Sequence, residues 1–303
     1  MNNYVPIAIV AYNRPVHLEL LLNSLIQNTE FKESKIYFFI DKYKNDDEIE
    51  RNQAVIEVCN RDWGLSQMEI IINETNLGLK KQILKTGDFL AEKYESFIIL
   101  EDDLVVGKYF LNYMNKSLKV YKNYEEVFHV NGYNFQKIFS KKSKSYFSHL
   151  VHPWGWGTWS DKWKEFRLSE KFEHNLVKDL EKKEQDKFNF YKLGSYTDQL
   201  EKNDTNIIST WAVYWYQYIF TSNGYSLTPG MSLTENNGFD GTGQNSGTNN
   251  KHATNLNKRK VTKFPQKINF YNTVFVDNYL WHLKIKFKDY FEYHINKIKN
   301  KFK

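Results

Sequence analysis

The sequence predicts an α/β fold built around a parallel sheet, and three observations predict it. Short apolar runs without helical period recur at 5–11, 36–40, 68–72 and 97–100. Runs of that length and composition read as buried strands. Segments with helical spacing separate them, which is the pattern of βαβ units. The fourth run passes directly into Glu101-Asp102-Asp103. Three carboxylates therefore sit at the carboxyl end of a strand, where open α/β sheets bind their ligands.

The chain has 303 residues, enough for one large domain or two small ones with a real core. Hydrophobic residues make up 41% and charged residues 26%, a globular balance. A single cysteine, Cys59, excludes an intrachain disulfide and a cysteine zinc cluster. The N-terminus opens into a strand-like run with no signal peptide, and no apolar stretch reaches the roughly 18 residues of a membrane span. The expectation is a cytoplasmic protein, with peripheral contact at the inner face of the plasma membrane left open. A net charge of +6 suits anionic partners such as nucleotides or anionic lipid. The lysines are dispersed and no recognition motif occurs, so nucleic acid is not an expected partner.

In order along the chain, the first strand at 5–11 is followed by the loop Tyr12-Asn13-Arg14-Pro15. Pro15 suits the first turn of a helix whose 3.6-residue period is carried by Leu18, Leu21, Leu22 and Leu25. The second strand, 36–40, ends in Asp41; a helix over 46–59 and a third strand at 68–72 follow. Asn76-Leu77-Gly78 then opens a helix over 81–94, which leads into the strand at 97–100. Beyond the acids, the pattern predicts a helix over 109–121, a strand over 127–133, a basic loop over 137–145, mostly helical or irregular chain over 170–206 and an aromatic helix over 211–220. The stretch 236–250 is rich in Gly, Asn, Ser and Thr, too long and polar for core. No internal repeat occurs. Residues 1–105 read as a nucleotide-binding half, 106–257 as an acceptor-side half and 258–303 as a basic extension.

The acid triplet repels itself unless a cation is present. Mg²⁺ or Mn²⁺ answers this, since each takes one or two carboxylates together with substrate phosphates. The plainer reading is a polar turn with an N-capping Asp. Asp41 terminates a strand on the same sheet edge, as a ribose or base acceptor or as a turn cap. Gly78 permits close backbone approach to a ligand, with Asn76 beside it and Lys80 placed to neutralise a diphosphate or simply to face water. In Trp154-Gly155-Trp156-Gly157-Thr158-Trp159 the glycines let indoles project from an irregular backbone into a cleft, where their faces stack on sugars, or the three tryptophans are core in a tight turn. Trp211, Trp215 and Ile219 at helical spacing read as core. The loop from Asn236 is either a lid that brings Asp240 or His252 to the site, His252 as a further metal ligand, or plain surface. The tail over 279–303 is amphipathic and holds seven lysines against two acids. Such a helix lies on anionic lipid or docks its apolar face on the main domain.

The ordered set Ala11-Tyr12-Asn13-Arg14-Pro15, Asp41, Asn76-Leu77-Gly78, Leu100-Glu101-Asp102-Asp103, Trp154-Gly155-Trp156 and Asn236-Asn237-Gly238-Phe239-Asp240-Gly241 resembles bacterial nucleotide-sugar glycosyltransferases of the GT-A fold, near the N-acetylglucosaminyltransferase I-like and family 2-like group. The resemblance spans about residues 4–250 and implies a Rossmann-like mixed sheet flanked by helices, with a C-terminal helical extension outside it. It implies that Asp103 binds Mn²⁺ or Mg²⁺ and that Glu101 and Asp102 contact nucleotide or donor sugar. It further implies that Ala11, Tyr12, Asn13 and Arg14 line the nucleobase pocket, with Asp41 near base or ribose, and that the Trp-Gly-Trp segment faces donor sugar or acceptor. The implied reaction moves a hexosyl or N-acetylhexosaminyl group from a nucleotide sugar, UDP first among them, to a glycan or lipid-linked glycan in surface polysaccharide biosynthesis.

One departure matters. Inverting relatives carry an Asp general base near a Trp-Asp-x-x-Trp helix, whereas this chain has Trp211-Ala212-Val213-Tyr214-Trp215 there. A base is needed to take the acceptor hydroxyl proton in an inverting transfer, and a retaining transfer can do without one. Asp198, Asp204, Glu235 and Asp240 are the acids nearby, with Asp198 and Asp240 the first candidates. Two rivals stand beside this reading. A sugar-phosphate nucleotidyltransferase would want a Gly-rich loop after the first strand, and Ala11 to Pro15 holds no glycine. A non-catalytic glycan- or nucleotide-sugar-binding protein with a retained fold fits the missing acid but not the intact triplet.

Overall fold

The computed structural model describes residues 4–134, 142–169, 174–192, 194–241 and 254–268, and of the tail residues 283–284, 286–288, 290–291 and 294–295. The first half alternates as its sequence pattern requires: β1 (Ile7–Ala11), α1 (Pro15–Leu25), β2 (Lys35–Ile40), α2 (Ile49–Asn60), β3 (Gln67–Ile72), α3 (Gly78–Lys93) and β4 (Ser96–Glu101). These strands are parallel and lie in the order β3-β2-β1-β4. The second half continues with β5 (Leu104–Val106), α4 (Phe110–Val120), β6 (Val127–Asn131), β7 (Ser145–Ser148), β8 (Trp156–Trp159), α5 (Ser160–Leu168), α6 (Lys182–Phe188), α7 (Tyr196–Asp204), α8 (Ala212–Thr221), β9 (Tyr225–Pro229) and β10 (Thr234–Asn236). β8, β6, β9 and β7 extend the sheet to eight strands, with β8 antiparallel to β4 and β6. The fold is thus α/β with a mixed sheet. Of the predicted extension, residues 258–268 are described and hold no helix, with Lys263 bridged to Lys144, and beyond 268 only short helical pieces fall among the described residues.

Strand alternation divides the apolar residues between two faces. Ile7, Ile9, Phe38, Ile98 and Leu100 pack with α1, α2 and α4. Ala8, Val10, Phe39, Phe97 and Ile99 pack with α3, α5 and α8. The second face is heavily aromatic: Trp156 stacks on Trp211 at 5.0 Å and on His129 at 5.4 Å, and Trp163 lies 5.6 Å from Trp215. Trp211, Trp215 and Ile219 belong to this core, as their helical spacing predicts.

Trp156 departs from the expectation that both indoles of its segment reach a cleft. It lies in strand β8, is fully buried and belongs to the aromatic core. Gly155 explains the split. Its φ of 72° breaks the extended run, so Trp154 and Trp156 do not share a face although they stand two positions apart. A Cβ at Gly155 would come within 2.8 Å of Thr234 Cγ2, so the turn is also sterically reserved for glycine.

Backbone hydrogen bonds continue past the strand ends and bring their exits into line. Asp41 N–H donates to Ala11 O, Asn73 N–H to Ile40 O and Asp102 N–H to Val10 O, each at 3.0 Å. Tyr12, Asp41, Asn73 and Asp102 therefore stand along one edge of the sheet.

Candidate donor-binding cleft

A cavity of about 380 Å³ opens on this edge. Its lining includes Ala11, Tyr12, Asn13, Arg14, Asp41, Asn76, Gly78, Glu101, Asp102, Asp103 and Trp154. The cleft thus collects most of the site residues expected from sequence. Glu48, Gln82, Thr210, Trp211, Asn236 and Phe239 join them.

The acids at the exits of β2 and β4 have different surroundings. Asp41 is buried, and its carboxylate accepts from Leu77 N–H at 2.9 Å, Gly78 N–H at 2.8 Å, Asn73 Nδ2 at 2.9 Å and Lys42 N–H at 3.1 Å. Both oxygens serve the N-terminal turn of α3, whose orphan N–H groups and dipole favour an anion. The geometry is that of a turn cap. Asn76 is likewise engaged, donating to Lys42 O at 2.6 Å.

Asp102 and Asp103 meet a cation instead. Arg14 Nη2 pairs with Asp102 Oδ1, and Nη1 lies 3.1 Å from Asp103 Oδ2, an ion contact outside hydrogen-bond geometry. The resemblance implied a place for Arg14 in the nucleobase pocket; its guanidinium lies on the acids. Asp103 Oδ1 is buried with no hydrogen-bond partner. Burial, then the charge of Asp103, pushes the Glu101 carboxyl up to about 8. Burial likewise pushes Asp102 up to about 6 against the pull of Arg14. Burial works against the Arg14 charge, yet Asp102 and Asp103 outweigh it and hold the guanidinium protonated.

The loop from β10 closes over the triplet. β10 pairs antiparallel with β5, and Asn237 N–H donates to Asp103 O at 2.8 Å. A Cβ at Gly238 would lie 2.3 Å from Asp103 Oδ2, so only glycine lets the loop approach so closely. Phe239 follows, edge-on to Trp154 at 5.8 Å. Asp240 Oδ2 stands 3.1 Å from His17 Nε2 on α1. His252 and the loop beyond 241 lie outside the described residues.

The residue that sequence reasoning missed is Glu48. It accepts from Tyr12 OH and, at 2.9 Å, from Asn13 Nδ2, fixing both side chains in the cleft. Burial and this bond push the Tyr12 hydroxyl up to about 12, and the same bond lowers Glu48. The signal was the Asn45-x-x-Glu48 spacing of a capping box, which the structure contains.

Two expected residues lie elsewhere. Lys80 Nζ stands 4.8 Å from the Tyr214 ring centre and lines a second cavity, of about 870 Å³, with Asp204 and Asn203. Asp198 is half exposed on α7 and pairs with Lys202 Nζ at 2.8 Å.

The donor set bears on a metal. Among the described residues no group of three or more His, Cys, Asp or Glu side chains is arranged to hold an ion. Mg²⁺ and Mn²⁺ do not need one, since they take one or two carboxylates and complete their shell with phosphate and water. The unpartnered Asp103 Oδ1 is a donor of that kind.

No family model matches the chain, and no curated protein matches it. Several solved structures are similar to it. S. aureus TarS 1-349 is 14% identical over 54% of this chain and 50% of its own, with a TM-score of 0.38. The chain thus spans half of that protein fragment. The mannosyltransferase PcManGT from Pyrobaculum calidifontis, in complex with GDP-Man and Mn²⁺, is 10% identical over 73% of this chain and 70% of its own, with a TM-score of 0.42. A Bacillus anthracis protein described as a glucose-1-phosphate thymidylyltransferase is 8% identical over 55% of this chain and 76% of its own, with a TM-score of 0.34. These scores are low, and the α/β assignment rests on the sheet itself. Among the described residues no helix is long and apolar enough to cross a membrane.

Proposed function

We propose that the chain is a metal-assisted glycosyltransferase that moves a sugar from a nucleotide diphosphate, UDP first among the candidates, to a glycan or lipid-linked glycan. The observation that carries the reading is the unpartnered, buried Asp103 Oδ1 at the carboxyl end of β4, within a cleft lined by Tyr12, Asn13 and Trp154. Asp103 would hold Mn²⁺ or Mg²⁺, which neutralises charge developing on a leaving diphosphate. Tyr12 and Asn13, fixed by Glu48, offer a rigid wall for the nucleobase. Trp154 offers an indole face to the sugar.

The second cavity is the acceptor side in this reading. It adjoins the cleft through neighbouring residues: Leu79 of the cleft and Lys80 of the cavity near the start of α3, and Ala212 of the cleft and Tyr214 of the cavity near the start of α8. Of the two candidate bases, Asp240 is carried forward, because it lies two residues past the Gly238 that covers Asp103. A role in surface polysaccharide synthesis at an anionic membrane, touched by the basic tail, completes the proposal. Exposed Phe287, Phe291 and Ile295 at four-residue spacing support the tail's part in it.

The test is thermal stability against a panel of nucleotides and nucleotide sugars, with and without Mn²⁺. A ligand at a hundred times its Kd stabilises by about 2.7 kcal/mol. The expected result is a rise with one nucleotide family only when Mn²⁺ is present. No rise with any nucleotide would sink the reading.

A further inference from the structure

The acid triplet already holds a cation, and it comes from the protein. Among the described residues, Arg14 is the only basic side chain paired with Asp102 or Asp103. Its guanidinium is largely buried, spans both carboxylates and leaves Asp103 Oδ1, alone among the oxygens of these two carboxylates, buried without a hydrogen-bond partner. The chain at Gly238 passes the other oxygen of Asp103 so closely that a Cβ there would lie 2.3 Å from it, and Asn237 N–H donates to the Asp103 backbone carbonyl.

A divalent ion on Asp103 Oδ1 would sit next to the guanidinium on Asp103 Oδ2. Two cations cannot share one small carboxylate at close range without strong repulsion. We infer that Arg14 is a resident counter-ion that competes with the divalent metal for Asp103, so that metal entry and Arg14 release are one event. Arg14 thereby keeps the crowded acids neutralised while the site is metal-free. Once released, it stands at the cleft as a planar donor fork, the group best matched to a diphosphate. The inference rests on the metal-assisted reading of the cleft, but its test uses no nucleotide and no acceptor. A protein that competes as described yet transfers nothing would separate the two.

The experiment measures Mn²⁺ affinity of the full chain without nucleotide, by the loss of the free-ion paramagnetic resonance signal. Arg14→Met is expected to bind Mn²⁺ at least about tenfold more tightly than the parent, about 1.4 kcal/mol or more. Arg14→Lys, which retains the charge, is expected to bind less tightly than Arg14→Met. Equal or weaker Mn²⁺ binding by Arg14→Met overturns the inference, as does equal affinity of the two variants. Removing the guanidinium leaves the acids unpaired, so Arg14→Met is also melted with and without Mn²⁺. Its Tm is expected to fall without metal and to recover with Mn²⁺ by more than the parent's Tm rises. Adding Asp103→Asn to Arg14→Met is expected to abolish the gain in affinity; a gain that survives would place the ion elsewhere and overturn the assignment.

Discussion

Two strand exits on one sheet edge carry acids that look alike in sequence and differ in what surrounds them. Asp41 follows β2, and the N-terminal turn of α3 aims two N–H groups at it. Asp103 follows β4 and runs straight into β5; the side chain of Arg14, the N-cap residue of α1, meets its Oδ2, and its Oδ1 finds no donor. A carboxylate at a sheet edge therefore becomes structural or chemical according to the donors its neighbours supply. A saturated acid is committed to the fold. An unsaturated one retains free energy to spend on a ligand.

The largest effect should come from breaking the unsaturated member. Asp103→Asn keeps the shape and removes the charge. Transfer activity is expected to fall by about a thousandfold, the usual scale for losing one preorganised electrostatic contact. Stability should change little, because Glu101 loses a repelling neighbour while Arg14 loses one of its two carboxylates and keeps Asp102. Steady-state kinetics and a melt on the same preparation check both halves. A variant that loses stability instead would place Asp103 with Asp41.

The saturated member should respond the other way. Asp41→Ala strips acceptors from Leu77, Gly78, Asn73 and Lys42 at once. Each buried donor left unsatisfied costs about 1–3 kcal/mol, and some will find water. A loss of about 2–4 kcal/mol in denaturant unfolding is expected. Activity per folded molecule should fall less than in Asp103→Asn. Equal losses of activity in the two variants would erase the distinction.

How much of this was legible follows from which signals are local. The strands at 7–11, 35–40 and 96–101 were legible because buried parallel strands are apolar on both faces. Position at the sheet edge was legible for Asp41 and the triplet alike, since it follows from where strands stop. Saturation was not, because all the donors of Asp41 but the adjacent Lys42 N–H come from residues 73 to 78, beyond a third strand. The place of Arg14 was illegible for the same reason: its partners are 88 and 89 residues away. Trp156 misled because a single positive φ at Gly155 decides which indole faces the cleft, and glycine permits that turn without requiring it.

His129 extends the contrast to a group that titrates in the laboratory range. Its Nδ1 accepts from Trp215 Nε1 at 3.0 Å, and its Nε2 contacts His152 O at 3.3 Å. Both nitrogens are committed, and the first contact requires a neutral ring. Burial lowers its pKa from the usual 6.5 to about 3. The unfolded chain therefore binds a proton below pH 6.5 that the folded chain refuses until about pH 3. Stability contributed by the neutral ring is fully present above pH 6.5 and is lost progressively as pH falls through that window. The slope from this one group approaches about 1.4 kcal/mol per pH unit. Unfolding midpoints measured from pH 7 to pH 4 should show it, and His129→Gln, which cannot titrate, should flatten the curve at some cost in stability at pH 7. An unchanged slope in that variant would mean that other groups carry the acid sensitivity. It would also mean that saturation at His129, unlike saturation at Asp41, does not tie a titratable side chain to the fold.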